Sequence, residues 1–183
     1  GCAEAWLRST RTPGIATRET PYHGDEVVFC STGDGTTSQG EFWESMNTAC
    51  NLKLPVVYLV EDNGYAISTP VEVNTAGGSI SKLLSGFPDL YIQEVNGCDV
   101  LASYDALSRA VDYCRQRKGP ALVHAHVIRP YSHSLSDDEV NYRTAAEREA
   151  DAERDPVTTF PRWLISQGIA SEAEIERIRT AVA

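Results

Sequence analysis

The sequence predicts an α/β protein, a parallel sheet with helices on both faces, followed by a C-terminal helical extension. Three observations carry this reading. DEVVFCST, PVVYLVED and ALVHAHVI are apolar runs without clean alternation, as expected of strands buried on both faces. Segments with helical periodicity separate the runs. Beyond Arg129 the pattern changes to a polar loop and then to helices alone. The expected division is an α/β domain over residues 1–143 and a helical segment over 144–183.

The elements follow in order. The run at 25–32 ends in glycine and reads as a buried strand. EFWESMNTACNLK places Phe42, Met46 and Ala49 on one helical stripe. Ser38, three residues before Glu41, predicts a capping box at its start. PVVYLVED is a strand introduced by Pro55, SISKLLSGF a short helix and LYIQEV a strand. DVLASYDALSRAVDYCRQRKGP is the clearest helix, with Val100, Tyr104, Leu107, Val111 and Cys114 as its expected apolar stripe. Asp99 is its expected cap, and Gly119–Pro120 its stop. ALVHAHVI is the next buried strand. The polar loop PYSHSLSDDEVNY precedes two or three helices, the last behind a Ser171–Glu174 capping box. Crossovers should be right-handed. Ligands of such sheets bind outside the carboxyl ends of the strands. The loops after Thr32, Glu61 and Ile128 are therefore the place to look for function.

Composition narrows the classes. With 183 residues the chain can bury a substantial core, and 42% hydrophobic with 23% charged residues is ordinary for a globular protein. A net charge of −10 argues against nucleic acid, which demands clustered Lys and Arg. No apolar run is long enough to predict a membrane span. The start, GCAEAWLRSTR, has no apolar signal-like core and no Met, and reads as the tail of a helix. The chain is thus expected to begin partway through a fold. EREADAERD reads as a solvated helix face, with a docking surface for a basic partner as the alternative. Five cysteines, an odd number without CxxC spacing, argue against zinc and against a disulfide framework. Buried reduced thiols are expected, in a cytosol or mitochondrial matrix.

GDGTTSQG, over residues 33–40, is neither a Walker A loop nor a GxGxxG fingerprint. Its aspartate needs another explanation. The strand at 55–62 ends in EDNGYAIS. If the two strands are parallel neighbours, about 4.8 Å apart, Asp34 and Asn63 project into one crevice. Gly64 allows a sharp turn that presents the Tyr65 carbonyl. A carboxylate, an amide oxygen and a carbonyl are hard ligands suited to Mg²⁺ or Ca²⁺. They leave coordination positions for phosphate oxygens, so Asp34 would hold a metal and the metal a diphosphate. The positive end of the helix from about Ser38 would lie beside that anion. A plain turn is the competing reading of GDG.

GDG, then a helix and a strand, then Asn, resembles the thiamine diphosphate signature. The wider run GDGTTSQGEFWESMNTACNLKLPVVYLVEDNGYAIS, with RPYSHSLSDDEVNYR downstream, resembles the alpha subunit of the decarboxylating component of branched-chain and pyruvate-type 2-oxo acid dehydrogenase complexes. The resemblance implies a thiamine diphosphate-binding fold in which Asp34, Asn63 and the Tyr65 carbonyl bind Mg²⁺. Gly35, Thr36, Ala66 and Ile67 would line the diphosphate. His133 would be the active-site histidine and a cofactor contact, and Ser134 matches a site phosphorylated in some relatives. The implied activity is oxidative decarboxylation of a 2-oxo acid with acyl transfer to a lipoyl group. The implied partners are a beta subunit, in an alpha2beta2 heterotetramer, and the lipoyl-bearing transferase. The implied location is bacterial cytoplasm or mitochondrial matrix, and the chain alone should be inactive. YAIST and SDD lean toward the branched-chain members.

The chain departs from that family in three places. Asp62–Asn63 stands where two asparagines are common, His124 where Glu is usual, and STRTPGIATRETPYHG is a longer, exposed connection. Asp62 would add negative charge near the phosphates unless it points away. Another thiamine enzyme, acetoin-cleaving or transketolase-like, is an alternative, although HSLSDD speaks against the transketolase. A non-catalytic, acidic partner-binding module is another. Of the four histidines, His23 reads as solvated. His124 and His126 share one face of a strand, as core or interface residues or as a metal pair without an evident third ligand. Arg129, Asp137 and Arg143 are expected to order the His133 loop by ion pairs.

Overall fold

A strand that is apolar along both faces needs a partner on each edge and cover on each side. Val56–Asp62 (β2) has all four. The structure, a computed structural model, describes residues 2–11 and 24–182. Most of the long connection ending at Gly24, with His23, lies outside the described residues. Cys2–Arg11 forms α1, Val28–Gly33 β1 and Gly40–Leu52 α2. After β2 come a small hairpin of Tyr65–Ala66 (β3) and Thr69–Pro70 (β4), and the one-turn helices Val71–Asn74 (α3) and Ile80–Leu83 (α4). Tyr91–Asn96 (β5), Val100–Arg115 (α5) and Ala121–His126 (β6) complete the sheet. Its order is β1-β2-β6-β5, with every pairing parallel. The parallel α/β architecture expected from the apolar runs is therefore present.

Alternate residues of β2 feed two cores. Val56, Tyr58 and Val60 pack with Phe42, Met46 and Ala49 of α2 and with Ile80 and Leu84 on one face. Val57 packs with Ala121, Val123 and Ala106, Ala110 and Cys114 of α5 on the other. The predicted stripe of α2 is the buried one. That of α5 holds in part: Cys114 is fully buried and Leu107 and Val111 pack against the same core, but its first two members face outward. Tyr104 is 75% exposed and Val100 37%, whereas Ala106 and Ala110 are fully buried. Small residues let α5 lie close on the sheet, with Leu107 and Val111 packed beside them, so large apolar side chains mark its inner face only in part.

Asp99 caps α5 by accepting from the Ala102 amide at 3.0 Å, as expected. The Ser38–Glu41 capping box does not form. Residues Asp34–Ser38 make a 3₁₀ turn, Gln39 is the N-cap of α2 without a side-chain bond, and the Ser38 hydroxyl donates to the Asn74 carbonyl at 2.8 Å.

Three helices follow the polar loop: Ala145–Glu153 (α6), Pro156–Ser166 (α7) and Glu172–Val182 (α8). The Ser171–Glu174 capping box forms with both reciprocal bonds. The acidic run lies mostly in α6 with a largely solvated face. All five cysteines are free, but only Cys50 and Cys114 are buried, and burial pushes both thiols up to about 11. Cys2 and Cys30 are exposed, contrary to the expectation of uniformly buried thiols. No helix among the described residues is long and apolar enough to cross a membrane.

The inner face of α5 is checked by a pair of variants. Tyr104→Ala should move the denaturation free energy by no more than about 0.5 kcal/mol, while Ala110→Leu should cost roughly 1–3 kcal/mol by overpacking, both read from urea midpoints.

Candidate functional site: the tips of β1 and β2

Parallel pairing in the register Gly33↔Glu61 brings the chain beyond β1 alongside Asp62 and Asn63. Asp34 is 1% exposed there. Backbone N–H groups of Asp34 itself and of Asn63 favour the charged form of its carboxyl. Thr37 Oγ1 donates to the Asp34 carbonyl at 2.7 Å, holding the 3₁₀ turn closed. Yet Oδ2 of Asp34 is buried without a hydrogen-bond partner. Burial raises the Asp34 pKa above the usual carboxylate range, and the charge of Asp62 adds to the effect. The backbone donors and Arg129 oppose it only in part. A buried carboxylate oxygen in this state is costly unless a cation or donor meets it.

Asn63 follows on the neighbouring tip. Its Oδ1 accepts from the Tyr65 amide at 3.2 Å. Gly64 adopts φ +83°, the left-handed turn that glycine favours, and its amide donates to Asp62 Oδ1 at 2.8 Å. The hairpin then carries Ala66 against Gly35. A Cβ at position 35 would stand 2.7 Å from the Ala66 Cβ, so only glycine lets the two loops approach so closely. Thr36 and Ile67 are exposed beside them. Asp34, Gly35, Asn63 and Ala66 are thus gathered at the two tips. The macrodipole of α2 begins later than expected, at Gly40 beyond the 3₁₀ turn.

His133 is linked to this cluster through a relay of hydrogen bonds. The Arg129 guanidinium donates to the Ile67 carbonyl at 2.8 Å and to the Tyr142 hydroxyl at 2.6 Å. Tyr142 donates to Asp137 Oδ2 at 2.6 Å, which also accepts the His133 amide at 2.8 Å. Arg129 also lies over the rings of Tyr65 and Tyr142. The expected ion pairing of the loop is therefore corrected. Arg129 reaches Asp137 through Tyr142, and buried Arg143 pairs with Glu139 and Asp151 and donates to the Arg129 carbonyl. The His133 side chain is exposed and held by none of these bonds, and the exposed Ser134 hydroxyl lies 3.2 Å from that of Ser136.

The two unusual residues meet each other. Asp62 is 6% exposed and His124 fully buried. Their Oδ2 and Nε2 atoms are 2.8 Å apart. Burial opposes ionisation of Asp62, but the bonds from His124 and the Gly64 amide outweigh it and hold its carboxyl below the usual range. Asp62 therefore points away from the crevice edge and into the sheet. Sequence reasoning missed Thr37 and Tyr142. The third-residue spacing from Asp34 could have indicated Thr37; nothing local indicates Tyr142.

A family model described as "Dehydrogenase E1 component" matches residues 7–183. The chain belongs to the dehydrogenase E1 component family. Among relatives of this family, the pyruvate dehydrogenase E1 component subunit alpha of Acholeplasma laidlawii is 36% identical over 176 residues, 96% of this chain and 51% of that protein. The somatic mitochondrial form from Sus scrofa is 36% identical over 163 residues, covering 88% of this chain and 41% of its own length. The Porphyra purpurea subunit is 36% identical over 158 residues, 85% and 45% respectively. The chain thus spans about half the length of these E1 relatives.

Two outcomes test the electrostatics of this E1 site. Asp34→Asn should stabilise the metal-free chain at neutral pH by about 1–3 kcal/mol, since it removes a buried, incompletely satisfied charge, as a raised thermal midpoint would show. Asp137 is held below the usual aspartate range by the Tyr142 hydroxyl and the His133 amide. Its contribution to loop order is therefore present above the ordinary value of about 3.9 and lost as pH falls through the lower folded value. Proteolysis of the 131–138 loop should accelerate through that acid range, and Asp137→Asn should show fast cleavage already at neutral pH, without the acid step.

Proposed function

We propose that this chain is the alpha subunit, or part of it, of a thiamine diphosphate- and Mg²⁺-dependent enzyme that decarboxylates a 2-oxo acid oxidatively and passes the acyl group to a lipoyl carrier. The observation that carries this reading is the buried Asp34 carboxylate with its unpartnered Oδ2, one strand away from Asn63. Such an oxygen suits a hard divalent cation. Asp34, the Asn63 amide oxygen and the Tyr65 carbonyl form an all-oxygen set of the kind Mg²⁺ takes alongside phosphate oxygens. The close approach of Gly35 to Ala66 leaves backbone, not side chains, to face a diphosphate, and Thr36 and Ile67 flank it. Bound there, thiamine diphosphate supplies the electron sink for loss of carbon dioxide.

The chain's own residues bind and position. Asp34 and Asn63 fix the metal, Gly35 and Ala66 admit the diphosphate, and the Arg129–Tyr142–Asp137 relay sets the height of the His133 loop. From that loop the imidazole can donate a hydrogen bond to the diphosphate or the reacting carbonyl. A phosphate on Ser134 would add nearly two negative charges beside that anion and disorder the loop. The family implies a beta subunit in an alpha2beta2 assembly and a lipoyl-bearing transferase as partners, within bacterial cytoplasm or mitochondrial matrix. The names of the relatives favour pyruvate over the branched-chain acids suggested by YAIST and SDD.

Calorimetric titration of thiamine diphosphate into the chain with its beta partner should give Mg²⁺-dependent binding, abolished by Asp34→Ala and by Asn63→Ala. Wild-type affinity in both variants would reject the assignment. The chain without a partner should show no decarboxylation of pyruvate or of branched 2-oxo acids.

A further inference from the structure

On the other side of β2 from the proposed diphosphate crevice, the sheet gathers a second set of ligand-type side chains. Residues 62 and 126 are register partners across β2 and β6, and His124 precedes His126 by two on the same face. Their rings pack with centroids 4.4 Å apart. Asp62 Oδ2 stands 2.8 Å from His124 Nε2 and 3.8 Å from His126 Nδ1, and one ligand atom from each residue lies within 4.8 Å of the others. Ligand atoms around a tetrahedral Zn²⁺ at about 2.0–2.1 Å stand roughly 3.3 Å apart. The two separations straddle that value, so a small spreading of Asp62 from His124 and a small closing of His126 would complete the site. The register supplies the third ligand that the two histidines lack in sequence.

We propose that Asp62, His124 and His126 bind Zn²⁺ at a site distinct from the Mg²⁺ position at Asp34 and Asn63. Two imidazoles and one carboxylate form the mixed nitrogen and oxygen set that suits zinc and does not suit Mg²⁺. A second observation points the same way. His124 Nδ1 is buried with no hydrogen-bond partner, and Glu94 Oε1 stands 3.6 Å from it. Glu94 is itself held by the hydroxyls of Ser81 and Ser79. A carboxylate behind the far nitrogen of a ligating histidine is the usual second support of a zinc site. Without metal, the proton on Nε2 points at Asp62. With zinc on Nε2 the ring's proton resides on Nδ1 and faces Glu94, so a polar atom now left without a partner gains one. His126, at 50% exposure, gives the ion its way in and leaves the fourth position to water. The ion would join the ends of β2 and β6 and neutralise Asp62 directly before the Asn63 turn.

The test uses the untagged full chain, stripped with a chelator, and Co²⁺ as a spectroscopic probe. Co²⁺ should give the intense visible bands of tetrahedral coordination, bleached by Zn²⁺ and unaffected by excess Mg²⁺. Half-exposed His126 tolerates His126→Ala, which should abolish the bands while circular dichroism stays unchanged. Glu94→Gln, at an exposed position, should weaken Co²⁺ binding roughly 10–100-fold. Asp34→Asn should keep the bands, which separates this site from the proposed Mg²⁺ site. Equal Co²⁺ binding by wild type and His126→Ala, or only the weak spectrum of octahedral Co²⁺, would overturn the proposal.

Discussion

A carboxylate sealed at a strand tip with one oxygen unmet is the constraint around which the rest of this chain is arranged. Asp34 is fully enclosed, close to a second acid, and Oδ2 finds no donor. Folding would ordinarily avoid such a group or leave it in water. Here parallel pairing of β1 with β2, the closed 3₁₀ turn bonded by Thr37, and the contact between Gly35 and Ala66 all hold it in place. The two faces of the sheet are filled by separate cores, so the tips are fixed from below while their outer side remains polar. Stability is given up at this one point, where a buried oxygen lacks the partner that would offset its desolvation.

The position of that point was legible in the sequence, because it depends on local patterns. Continuous apolar runs imply a parallel sheet, and a parallel sheet brings consecutive strand tips together. GDG and DNG then become neighbours without further information. Side-chain detail was legible only where spacing decides it. The inner stripe of α2 followed from Phe42, Met46 and Ala49; that of α5 followed for Leu107, Val111 and Cys114, whereas its closest contacts are the alanines Ala106 and Ala110, which hydrophobic size does not single out. Ser38 matched a cap motif but found a stronger partner in the Asn74 carbonyl, a contact set by tertiary placement. The Arg129–Tyr142–Asp137 relay joins residues whose pairing depends on how the loop folds over the hairpin, and no periodicity encodes it.

Asp62 and His124, two residues that look out of place one at a time, explain each other. Each is awkward alone: a buried acid beside an anionic site, and a buried imidazole in a strand. Together they form a 2.8 Å hydrogen bond across β2 and β6. The acid is drawn into the sheet, and its other oxygen receives the Gly64 amide and fixes the turn that presents Asn63. The pair thus holds the turn at Asn63 and Gly64 from beneath.

The described sheet has two margins, β1 and β5. β2 and β6 are enclosed, but β1 lies at the margin with Phe29 53% exposed and Cys30 and Ser31 open as well. Its outward row of amides and carbonyls is a template for another strand. Such a margin accepts a further strand in register, so the sheet can be extended on the β1 side without disturbing either core.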